Sequence, residues 1–129
     1  MAGVSLSLIV LRSPDVERTA AFYALLGIHF EREQHGGPEH LAAQLGSAVL
    51  EIYLQSVGAD SAGVRLGFRV ASVAEVVEAV RRAGGAVLSP PRLTAWGNRA
   101  VLADPDGRRV EVSEVENAEP IAAADRGRS

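Results

Sequence analysis

Two glutamates carry the most suggestive chemistry in this chain. Glu51 stands in "LEIY" and Glu111 in "VEVS", 60 residues apart, each between apolar neighbours. In a strand, such a carboxylate points to the face opposite its neighbours. Two carboxylates facing one space can ligate a divalent cation or exchange a proton. Their repulsion protonates one of them unless a cation stands between. The plainer alternative is that both lie on a wet sheet face.

Other side chains are weaker candidates. Tyr53 shares strand parity with Glu51 and either offers its hydroxyl to a ligand or packs at a sheet edge. Arg65 and Arg69 share one face of their strand. Trp96, in "TAWGNR", either stacks on a flat ligand or covers apolar structure. The three histidines are His29, His35 and His40. A metal reading would join His35 and His40 across "HGGPEH", but loop histidines without a carboxylate at fixed spacing read as solvated. Asp104 and Asp106 in "DPDG" are turn chemistry rather than catalysis. No nucleophile elbow or phosphate-binding glycine loop is present.

The elements that must position these residues follow from the apolar pattern. Strands are expected at 4–11, 28–33, 41–45 and 48–55, with a helix at 13–27 capped by Ser13 and stopped by Gly27. Residues 34–40 read as a loop and 56–63 as a small, polar linker. The pattern then repeats. A strand at 64–70 precedes a helix over 72–85. There Ser72 and Glu75 form a capping box, and Val73, Val76, Val77, Val80 and Ala83 make an apolar stripe. Strands at 86–89, 98–103 and 108–114 follow, with Pro90 and Pro91 stiffening the approach to Trp96. This is a duplicated βαβββ unit. The helices align at an offset of 57 and the last strands at 60, which superposes Glu51 on Glu111.

Composition limits the possibilities. The 129 residues favour one domain, with residues 116–129 reading as a tail. A formal net charge of −3 argues against nucleic acid or membrane as partner. No cysteine is present, which removes disulfides, thiolate metal sites and a cysteine nucleophile. No apolar run reaches the roughly 20 residues of a membrane span, and no basic leader precedes the first strand, so a cytoplasmic location is expected. All 13 basic residues are arginine, and the chain is rich in Ala, Gly and Val, as in a GC-rich bacterial genome.

With those elements in place, the chain resembles the vicinal oxygen chelate superfamily, the glyoxalase, bleomycin-resistance and extradiol-dioxygenase group. The resemblance is carried by "LRSPDVERTAAFYALLG", "LEIY", "GFRVASVAEVVEAVRRAGG" and "WGNRAVLADPDGRRVEVSE", in that order and spacing. It implies an α+β fold of two βαβββ modules, 4–55 and 64–115, forming one domain over 1–115. Their curved sheets would make an incomplete eight-stranded barrel around a cleft that Glu51 and Glu111 face.

Metal-dependent relatives place ligands on the first and last strand of each module. Those positions fall on Leu8, Glu51, Arg65 and Glu111. Leu8 has no lone pair, and Arg65 is a permanent cation. The resemblance therefore implies a vestigial chelate, with Arg65 bridging the two glutamates where a metal would stand. The expected function is metal-free binding of a small molecule, sequestering an antibiotic or toxic metabolite, with Glu51, Tyr53, Arg65, Arg69, Trp96 and Glu111 as binding residues. No cofactor is expected. The alternative is an enzyme of the same fold, a lyase, isomerase or dioxygenase using Glu51 and Glu111 with a divalent metal. A homodimer is expected, because each four-stranded module leaves sheet edges open.

Overall fold

The computed structural model describes residues 3–56, 60–95 and 97–114. Trp96, residues 57–59 and the tail beyond Glu114 lie outside the described residues. Among the described residues two compact units are present, the first within residues 3–64 and 104–108, the second within 65–103 and 109–114. Each contains a four-stranded sheet and one helix. No described helix is long and apolar enough to cross a membrane.

The first unit runs β1 (Leu8–Ser13), α1 (Val16–Ala24), β2 (Glu31–Glu33), β3 (His40–Leu45) and β4 (Ala48–Leu54). Its strand order is β1-β4-β3-β2, with β1 parallel to β4 and the remaining pairs antiparallel. Alternation sends Leu11, Leu50 and Ile52 into the core beneath α1, where each is 1% exposed or less. Phe22 and Tyr23 of α1 complete that core, with their rings edge to face at 5.0 Å. Asp15, not Ser13, caps the helix, accepting a hydrogen bond from the Arg18 amide. Ser13 instead ends β1 fully buried, with its hydroxyl 3.0 Å from that of Thr19. Gly27 stops the chain at φ +103°, a conformation that costs a β-carbon residue energy. The expected strand at 28–33 is reduced to its last three residues, and His40 belongs to a strand rather than to the preceding loop.

The second unit runs β5 (Leu66–Val70), α2 (Val73–Arg82), β6 (Ala86–Thr94), β7 (Gly97–Ala103) and β8 (Arg109–Glu114), in the order β5-β8-β7-β6. Ser72 caps α2, accepting from the Glu75 amide as expected. Val73, Val76, Val77 and Val80 are buried, against Val110, Val112 and Leu102 among others. Ala83 ends the stripe in the open. The expected strand at 86–89 continues through Pro90 and Pro91 to Thr94. Proline is tolerated there because β6 is an edge strand whose pairing with β7 slips twice between Val87 and Arg92. The two prolines are thus strand residues, not a stiffened loop.

Candidate functional site

The open face of the first sheet carries the first candidate site. Register places Leu8, Val10 and Arg12 of β1 beside Val49, Glu51 and Tyr53 of β4. Ala42 of β3 lies between Glu51 and Glu31, and His40 lies opposite Glu33 on β2. Period-two alternation puts all of these on the face away from α1. A concavity of about 450 Å³ opens on this face. Its lining includes Leu8, Ala42 and Val49 as apolar wall, and Glu31, Glu33, Glu51, His29 and His35 as polar groups. Glu51 therefore lines a recess of its own module, and Leu8 lies in the same recess.

Within it, three donor groups converge. His40 Nε2 lies 3.5 Å from Glu51 Oε2 and 3.6 Å from Glu33 Oε1, and the candidate ligand atoms of all three residues lie within 4.8 Å of one another. The His40 side chain is only 3% exposed, whereas those of Glu33 and Glu51 are 37% and 17% exposed. Tyr53 holds His40 in place. Their rings stack at 4.3 Å with planes 12° apart, and the Arg12 guanidinium lies 5.0 Å from the centre of the Tyr53 ring. Tyr53 thus occupies the face expected of it, as a packed aromatic supporting its neighbour. His35, exposed, sits 3.1 Å from Glu33. Sequence reading treated His40 as a solvated loop residue. The missed signal was its place at the start of "HLAAQL", two residues before Ala42 and hence on the Glu51 face.

The open face of the second sheet centres on Glu111. Val110 and Val112 are fully buried, while the Glu111 side chain is 30% exposed on the opposite face. Arg65, just before β5, reaches it at 3.7 Å, but Arg99 of β7 makes the closer pair at 2.6 Å. Arg99 arrives there because Val101 is the register partner of Glu111, and the side chain two residues earlier shares its face diagonally. Sequence reading gave Arg65 this task alone and missed Arg99. Arg69 shares the face and is exposed.

A third cluster belongs to the first unit and is structural. Arg108 is 1% exposed and Asp104 4%. The Arg108 guanidinium donates to Asp104 Oδ2 at 2.9 Å, Asp106 Oδ2 at 3.1 Å, Ser61 carbonyl and hydroxyl oxygens at 2.9 and 2.8 Å, and the Arg12 carbonyl. Tyr23 donates its hydroxyl proton to Asp104 Oδ2 at 2.6 Å, and Thr19 donates to Asp106 at 3.0 Å. Burial, followed by the hydrogen bond to Asp104 and its negative charge, raises the Tyr23 phenol far above its usual range. Burial opposes the charge on Arg108, but its bond to Asp104, the charge of Asp104 and its bond to Asp106 outweigh it, so its pKa rises. Asp104 also accepts from the Asp106 and Arg108 amides, so "DPDG" is turn chemistry, as its composition indicates.

The donor set at the four family positions does not suit a catalytic metal. Leu8 offers nothing, and Arg65 is a cation paired with Glu111, whose carboxylate is already held by Arg99. Two carboxylates fall short of the three protein ligands such a site normally needs.

Comparison with known proteins agrees with this architecture. The family model described as a glyoxalase-like domain matches residues 8–113. TnmS3, an antibiotic binding protein from Streptomyces sp. CB03234, superposes with a TM-score of 0.72 at 21% identity, over 90% of this chain and 99% of that one. A glyoxalase/bleomycin resistance protein from the same organism gives 0.69 at 23%, over 85% and 100%. A glyoxalase/bleomycin resistance protein/dioxygenase family enzyme from Burkholderia phytofirmans PsJN gives 0.70 at 20%, over 88% and 100%. No curated protein matches. With two βαβββ modules and a glutamate at the same place in each last strand, the chain belongs to the glyoxalase-like family of the vicinal oxygen chelate superfamily.

Proposed function

We propose that this protein binds a small organic molecule on its open sheet faces, sequestering an antibiotic or toxic metabolite, without a metal held at Leu8, Glu51, Arg65 and Glu111. The observation that carries the reading is the recess of about 450 Å³, which falls in the size range of small-molecule sites. Its apolar wall and few carboxylates suit an amphipathic ligand with a donor-rich or cationic end. The similarity to TnmS3 supports an antibiotic as the ligand class. In the second module, taken by itself, Arg65, Arg69 and Glu111 offer a separate polar face, and beside the recess of the first module Tyr53 is the proposed aromatic contact.

Native mass spectrometry and calorimetric titration against a panel of amphipathic antibiotics test this. Saturable binding of one molecule per chain, weakened at least tenfold by Glu51→Gln, is expected. Absence of binding across the panel, combined with turnover of a vicinal-oxygen substrate, favours the second reading. That reading is a lyase, isomerase or dioxygenase acting through Glu51 and Glu111, supported by the likeness to the Burkholderia enzyme. It requires a divalent metal whose retention depends on Glu111. Metal loss in Glu111→Gln would overturn metal-free binding at the family positions.

A further inference from the structure

We infer that Glu33, His40 and Glu51 form a site for one divalent transition cation of the zinc class, built wholly within the first module. This goes beyond the small-molecule reading and does not depend on it. It shares only Glu51 with the four family positions.

The argument begins with the tautomer of His40. Its Nδ1 lies 3.2 Å from the Pro38 carbonyl oxygen. A carbonyl only accepts, so Nδ1 carries the proton and donates it. In the neutral ring, Nε2 then presents a lone pair. That atom is buried and has no hydrogen-bond partner. It faces Glu51 and Glu33 at 3.5 and 3.6 Å. Three potential lone-pair donors therefore converge on one point, an arrangement that a divalent cation would satisfy.

A metal ion fits there. Zinc bonds of about 2.0–2.1 Å in tetrahedral geometry separate neighbouring ligand atoms by about 3.4 Å. The His40–Glu51 and His40–Glu33 separations of 3.5 and 3.6 Å are close to that value, and all three ligand atoms lie within 4.8 Å of one another. The surroundings are also those of a metal-binding histidine. The Nδ1–H···O=C bond fixes the ring and leaves Nε2 free to ligate. The stacked Tyr53 ring holds the imidazole plane, so its orientation does not depend on the metal. Glu33 and Glu51 both line the recess, which gives the ion an entry route and leaves a coordination position for water. One histidine with two carboxylates suits zinc and similar borderline cations better than calcium, which prefers oxygen ligands alone.

The test is titration of the chelator-treated full chain with zinc chloride, followed by calorimetry and by NMR of the histidine ring nitrogens. The expected result is uptake of one ion per chain, with the His40 Nε2 resonance shifting and its Nδ1–H retained. Glu33→Gln and His40→Gln should each weaken binding at least tenfold, while Glu111→Gln leaves it within twofold. Glu33 lies at a half-exposed sheet edge, so its substitution tests the site even where loss of His40 disturbs packing. Several results would overturn the inference. They are no saturable uptake, uptake unaffected by Glu33→Gln, uptake abolished by His35→Ala with His40→Gln still binding, or dependence on Glu111.

Discussion

Replacing Arg108 by Met should be among the most damaging single changes to this fold. The guanidinium makes five hydrogen bonds to four residues and is almost wholly buried. Met fills comparable volume, so a cavity is not the main loss. The change strands Asp104, whose carboxylate is buried without its cation, together with the Ser61 and Arg12 carbonyl acceptors. Breaking a buried ion pair from one side costs about 3–5 kcal/mol. Asp104 keeps the Tyr23 hydroxyl and two backbone amides as donors, so the lower end, about 3 kcal/mol, is expected. Urea denaturation with an unchanged m-value would measure it. Arg108→Lys should recover little, because an ammonium cannot span acceptors set out for a planar fork. Arg108→Met combined with Asp104→Asn should be less damaging than the sum of the two single changes, by more than about 1 kcal/mol, since Asp104 is then no longer a buried charge without its cation. A deficit below about 1 kcal/mol for Arg108→Met, the scale of an exposed pair, would refute the reasoning.

The Tyr23 phenol has a folded pKa raised above its unfolded value of about 10, so its contribution is complete below that pH and lost as pH rises further. Alkaline unfolding should therefore be less steep in Tyr23→Phe, and identical pH profiles above pH 10 would count against a phenol raised by burial and by Asp104. At Glu111, Arg65→Ala should cost under about 1 kcal/mol, because Arg65 is more than half exposed and Arg99 remains. Arg99→Ala should cost more than Arg65→Ala in the same melts, and the reverse order would show that Arg65 is the principal partner. We also propose a homodimer through the open edge of β1, where Leu6 and Leu8 are 60% and 50% exposed. Sedimentation at micromolar concentration should give twice the chain mass, and a single-chain mass would dispose of the idea.

Local sequence determined the elements and the duplication. The valine stripe of α2, its Ser72 cap and the stop at Gly84 are short-range signals that depend on nothing distant. Alternation around Glu51 and Glu111 was equally local, and it placed both glutamates opposite their buried neighbours. What only the tertiary structure decided is which side chains meet. His40 looked like part of a loop, because the turn signals of "HGGPEH" run right up to it. Only the pairing of β3 with β2 and β4 brings it to Glu33 and Glu51. Arg99 reaches Glu111 through antiparallel register, which no pattern within "NRAVLA" specifies. Arg108 lies in a charged turn, where composition implies exposure. It is buried because Asp104, Asp106, Ser61 and Arg12 supply acceptors from segments up to 96 residues away. Cross-strand neighbours and buried ion pairs depend on chain closure over long separations, and a one-residue slip in register would change every one of them.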